Sequence, residues 1–191
     1  MKKCSVTLPA LLALAALFVL ERTAFLPVLL AASAVHEAGH LLAVRLCGLH
    51  LLELRLTLGG AELVHTPGSY RDDLRIALAG PAASLLLAAG MAAVRMAWRV
   101  PGADMLAGVS AALGAFNLLP VEPLDGGQAV SAVLHRLLPV EKADIVMNFV
   151  AFFFLLPLGA AGFFVLLRSR GNYSLLALAI YLSALFVLKR R

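Results

Sequence analysis

Five consecutive residues, His36-Glu37-Ala38-Gly39-His40, carry the side chains best suited to chemistry. They lie in the run LPVLLAASAVHEAGHLLAVRLC, from Leu26 to Cys47. As a helix that run measures about 33 Å, enough to cross a hydrocarbon core of about 30 Å. An ionisable side chain in the middle of such a segment costs about 2.5–3.5 kcal/mol, so three of them call for a function or for partners. The spacing H-E-x-x-H places two imidazoles at i and i+4 on one helical face, where both can bind one metal ion. Glu37, turned by about 100° from His36, can reach a water held there. This is the pattern of a hydrolytic zinc site with Glu37 as general base. Two plainer readings compete. A solvated helix face is opposed by the apolar flanks, and a buried polar cluster could join helices without any metal.

The second informative stretch is Asn117-Leu118-Leu119-Pro120-Val121-Glu122-Pro123-Leu124-Asp125-Gly126-Gly127. Two prolines end a helix here and force extended backbone, which is tolerated at membrane depth only where protein buries it or it lines a cavity. A catalytic zinc takes three protein ligands and keeps one position open, and two histidines plus a carboxylate suit it. Asp125 is the candidate third ligand. It can equally be read as the cap of a following helix, Gly127–Leu138, and Asp-Gly-Gly as an ordinary turn. Glu122 is a rival carboxylate.

These residues must be positioned by membrane helices. The hydrophobic share is 62%, against about 45–50% in soluble domains, and mean hydropathy is +0.94. No alternating ten-residue segments suggest a barrel. At 191 residues one domain is expected, residues 1–191. The net charge of +5 comes from basic residues at helix ends, which argues for membrane topology and against nucleic acid as a partner. The two cysteines, Cys4 and Cys47, make no disulfide scaffold or zinc knuckle.

The fold expected is all-α and polytopic, with six transmembrane helices and a short membrane-associated β-hairpin after the second. Lys2-Lys3 followed by an apolar run begins like a signal peptide, but no small-residue cleavage site precedes Glu21-Arg22. Cys4–Leu20 is therefore read as the first span. The second holds the H-E-x-x-H. From Leu52 to Leu58 apolar and polar residues alternate, Gly59-Gly60 permits a tight turn, and Ala61–His65 can return as a second strand. An amphipathic interfacial connector is the other reading. A hairpin would expose an edge able to accept extended peptide, with Gly59 and Gly60 as candidate substrate-binding residues. The third helix starts at Arg71-Asp72-Asp73 and runs to about Met96, its Gly80, Ala82, Ala83 and Ser84 allowing close helix approach. The fourth covers Ala103–Leu119, the fifth about Asp144–Leu167, and the sixth Tyr173–Leu188. With both termini cytoplasmic, 11 of the 16 Lys and Arg fall inside, as the positive-inside rule favours. The H-E-x-x-H and Asp125 then reach the same membrane side.

An intramembrane H-E-x-x-H paired with a later N-x-x-P-x-x-P-L-D-G resembles the site-2 protease family of intramembrane zinc metalloproteases. Here the motifs read HEAGH at 36–40 and NLLPVEPLDGG at 117–127, with AGP at 79–81 as a further likeness. They cover residues 26–128. The resemblance implies one Zn2+ held by His36, His40 and Asp125, Glu37 as catalytic base, and Asn117 positioning substrate or steadying the oxyanion. It implies a multi-pass cell-membrane enzyme, bacterial in origin, that cuts membrane-spanning protein substrates such as an anti-sigma or pro-sigma factor. A membrane regulatory protein is a further implied partner. No PDZ insert follows the third helix, no CBS domain follows the sixth, and Glu122 stands where proline is frequent. These departures point to the compact branch that includes the stage IV sporulation FB-type proteases. The readings that compete are an intramembrane metal-ion transporter, which would show inverted repeats that this sequence lacks, and a polar-cluster protein without catalysis.

Overall fold

A computed structural model describes residues 3–8, 11–12, 15, 23, 25–57, 60–169 and 173–188. The chain forms two compact units, Met1–Asn117 and Leu118–Arg191. The first contains β1 (Lys3–Val6), α1 (Phe25–Leu46), β2 (Leu51–Thr57), β3 (Gly60–His65), α2 (Tyr70–Trp98) and α3 (Ala103–Asn117). The second contains α4 (Asp125–Leu137), α5 (Val140–Arg168) and α6 (Ser174–Leu188). The fold is mostly helical with one small sheet.

The alternation after Gly48 does give a hairpin. β2 and β3 pair antiparallel, with Leu51 opposite His65 and Thr57 opposite Gly60. The third strand was not expected. β1 lies parallel to β2, with Lys3 opposite Glu53 and Val6 opposite Leu56, so the sheet order is β1-β2-β3. The expected helix Cys4–Leu20 is therefore corrected at its start, where residues 4–6 are strand. An edge strand leaves a row of N–H and C=O groups unpaired, and β1 satisfies that row on one side of β2. The Ser5 hydroxyl donates to Glu53 Oε1 at 2.5 Å and Thr7 N–H to the Leu56 carbonyl at 2.9 Å. Leu8, Leu11, Leu12 and Ala15 are helical; the other positions from 9 to 20 lie outside the described residues.

Each helix of the first unit starts and stops for local reasons. α1 ends in a left-handed turn at Gly48 (φ +72°). Leu49 N–H returns to the Val44 carbonyl and Gly48 N–H to that of Arg45, both at 3.0 Å, which satisfies carbonyls that a helix end leaves open. α2 begins with a capping box: Ser69 Oγ accepts from Asp72 N–H at 3.3 Å, and Asp72 Oδ2 accepts from Ser69 N–H at 3.1 Å. Ala43, Val44 and Ile76 are buried together where α1 and α2 meet, with Cys47 and Leu49 packed against them. α2 lies against both α1 and α3.

In the second unit α4 packs on α5, and α5 on α6. His135 Nε2 lies 3.2 Å from Asp144 Oδ1, tying α4 to α5. Among the described residues, three helices, α1, α2 and α5, are long and apolar enough to cross a membrane, and α6 is apolar but shorter.

Candidate metal centre

His36 and His40 are 4% and 6% exposed, and both face α2. α1 and α2 run antiparallel at unusually short range because residue 39 has no side chain. A Cβ there would sit 2.6 Å from the Ala79 carbonyl oxygen and 2.8 Å from the Ala83 Cβ. His40 Nδ1 lies 2.7 Å from the backbone carbonyl of Ile76. A carbonyl only accepts, so Nδ1 carries the proton and Nε2 keeps its lone pair. His36 Nδ1 lies 2.9 Å from Ser84 Oγ. The His40 ring occupies the space that a Cβ on Gly80 would fill. Pro81 follows directly and gives no N–H to the Ala77 carbonyl, a tolerable loss within a packed membrane helix.

The two Nε2 atoms end 3.3 Å apart, with ring planes inclined at 77°. Two imidazole nitrogens each about 2.0–2.1 Å from one tetrahedral ion stand about 3.3 Å apart, so the pair fits a zinc ion. Glu37 follows His36 on α1 and is half-buried.

Asn117 is the last residue of α3, half-buried, with its side-chain N–H donating to the Leu113 carbonyl at 3.0 Å. Gly60 opens β3, paired with Thr57; Gly59 lies outside the described residues. Asp125 belongs to the second unit and is 9% exposed. It is the first residue of α4, and the N-cap is Leu124, without a side-chain capping bond. The helix is thus not capped by Asp125, although a negative charge in the first turn suits the helix dipole. The loop before it folds tightly onto that turn. A Cβ on Gly126 would run into the Leu118 carbonyl, and one on Gly127 into the backbone of Val121 and Glu122. Val121 N–H returns to the Leu119 carbonyl at 2.8 Å and the Gln128 amide donates to the Pro123 carbonyl at 3.2 Å. Pro-x-x-Pro and Gly-Gly are therefore two halves of one packed corner that holds the carboxylate.

Among the described residues, the buried polar side chains are His36, His40, Ser84, Ser110 and Asp125. The ionisable ones in that set are the three expected ligands. Sequence reasoning missed the roles of Ser84, Gly80 and the Ile76 carbonyl, taking the small residues only as room for helix approach. The available signal was their spacing: 76, 80 and 84 form one stripe of α2, opposite the stripe of 36 and 40 on α1.

Residues 103–158 match the model of peptidase family M50. Rip3 of Mycobacterium tuberculosis is 41% identical over 118 residues, which is 56% of this chain and 30% of Rip3. Sll0528 of Synechocystis is 32% identical over 126 residues, 62% of this chain and 33% of that protein. MJ0392 of Methanocaldococcus jannaschii is 29% identical over 108 residues, 53% of this chain and 32% of its own length. All three carry the name of a zinc metalloprotease. The matched part of the chain thus spans about a third of each relative. The solved structure of the site-2 protease from Methanocaldococcus jannaschii shares the fold, with a TM-score of 0.71 at 22% identity, covering 95% of this chain and 86% of that one.

Proposed function

We propose that the chain, a member of the peptidase M50 or site-2 protease family, is a zinc-dependent endopeptidase. It cuts peptide bonds within or near the transmembrane segments of other proteins. The observation that carries this reading is the coincidence of motif and burial: the buried ionisable side chains among the described residues are His36, His40 and Asp125. In this reading they hold one zinc ion, and residues 1–191 act as one protease domain because both motifs are needed. Bound zinc supplies a Lewis acid and lowers the pKa of a water toward about 7. The Glu37 carboxylate takes a proton from the attacking water as its oxygen adds to the scissile carbonyl carbon. It then delivers that proton to the leaving amine nitrogen as the C–N bond breaks. Asn117, at the end of α3, orients the substrate backbone or donates to the developing oxyanion.

The chain crosses the membrane six times in this reading. Because β1 and β2 pair in one sheet, both lie on one side of the membrane in this reading, which supports an even number of crossings between them. α1 makes one of these; the other, expected over Cys4–Leu20, falls largely outside the described residues. Both termini then lie in the cytoplasm of a bacterial cell. The sheet lies on that side, and its outer edge at β3 receives substrate as an extended strand near Gly59 and Gly60. Substrates are membrane-spanning proteins such as an anti-sigma or pro-sigma factor, under the control of a membrane regulatory protein.

Metal analysis of the detergent-purified protein tests the centre. About one zinc per chain is expected in the unsubstituted protein and in Glu37→Gln, with loss in His36→Ala and Asp125→Ala. Absence of zinc from all four folded proteins would return the residues to a polar cluster.

A further inference from the structure

The stripe Ile76, Gly80 and Ser84 meets both histidines of the centre, one contact per helical turn. The Ile76 carbonyl fixes the proton of His40 on Nδ1, and Gly80 leaves the space its ring fills. Ser84 occupies beside His36 the place that Ile76 occupies beside His40, but with a hydroxyl that can donate or accept: its Oγ is 2.9 Å from Nδ1, and the residue is 0% exposed. α3 closes over it from the far side, where a Cβ on Gly114 would stand 3.1 Å from the Ser84 Cβ.

We propose that Ser84 is the positioning residue of His36, its hydroxyl accepting the Nδ1–H so that Nε2 is presented to the metal. An imidazole ring can turn by half about its Cβ–Cγ bond and can carry its proton on either nitrogen. A partner on Nδ1 holds the ring against that turn, and because a hydroxyl accepts as readily as it donates, it takes the Nδ1–H once Nε2 is given to a metal. α2 thereby sets ring orientation for both histidines, one by a main-chain and one by a side-chain acceptor. The sequence H-E-x-x-H alone supplies neither. The assignment rests on the zinc reading given above.

The test compares unsubstituted protein, Ser84→Ala and Ser110→Ala in detergent. Ser110 is the matched control, a serine of α3 that is also 0% exposed and whose Oγ has no hydrogen-bond partner among the described residues. Zinc affinity is read by competition with a chromogenic chelator, and ligand geometry by the visible spectrum of the cobalt(II)-loaded protein. Ser84→Ala should weaken zinc binding by roughly tenfold to a hundredfold, the usual cost of losing a ligand's hydrogen-bond partner, and should change the cobalt spectrum. Ser110→Ala should do neither. The substitution removes one oxygen and adds no colliding atom. Affinity within twofold of the unsubstituted protein with an unchanged spectrum, or equal weakening by Ser84→Ala and Ser110→Ala, overturns the assignment and leaves the zinc centre standing. No zinc or cobalt binding by the unsubstituted protein overturns both.

Discussion

At the scale of single residues, the proposed centre rests as much on missing atoms as on candidate ligands. Gly80→Ala would push a methyl group into the space of the His40 ring, so zinc should be lost although every ligand remains. Zinc content and thermal unfolding measured together distinguish this from global loss of the fold. The two carboxylates near the Pro-x-x-Pro corner should also separate. Asp125 is buried at the head of α4, whereas Glu122 sits half-buried in the turn before it. Asp125→Asn should abolish zinc retention and Glu122→Gln should spare it; the reverse result would make Glu122 the third ligand. The residue types and spacing of His36, Glu37 and His40 made them candidates from the sequence alone, whereas Asp125 stayed open between ligand and helix cap until the family resemblance favoured the ligand. The structure shows His36, His40 and Asp125 buried. The Ile76 carbonyl was not legible in the sequence, because a backbone acceptor is the same for every residue and only packing selects it.

At the scale of elements, the short distance between α1 and α2 is the fact that brings both histidines to their partners. Gly39→Ala places a Cβ 2.6 Å from the Ala79 carbonyl oxygen. Such overpacking costs about 1–3 kcal/mol, and zinc affinity should fall with stability because the two stripes are forced apart. The capping box at the start of α2 offers a contrast. Ser69→Ala should lower stability by about 1 kcal/mol without weakening zinc, since Ser69 lies two turns before the first contact with His40. Thermal unfolding and chelator competition on the two variants check this difference. Helix bounds were read from sequence to within a few residues for α1, α2, α3 and α6. Capping signals, glycine and proline mark those ends chemically. The fifth expected helix starts four residues earlier than read, at Val140 after Pro139. β1 was hidden for a different reason. Its residues continue into an apolar run that suits a helix, and a strand pairing with a partner 50 positions away leaves no local periodicity to detect.

At the scale of the whole molecule, the pairing of β1 with β2 ties membrane topology to sheet formation. Cysteines introduced singly at Ser5 and Glu62, with Cys4 and Cys47 removed, should be labelled from the same face of sealed vesicles by a membrane-impermeant reagent. Labelling from opposite faces would contradict the crossing count. The same pairing also sets an order of assembly. β1 leaves the ribosome first, yet its partner residues from Glu53 to Leu56 are made about 50 residues later. At about 5–20 residues per second that interval lasts some seconds, within which the proposed topology has the chain cross the membrane and return. In the proposed topology the sheet closes only after that return, so the contact of β1 with β2 would register that the histidine-bearing helix is in place.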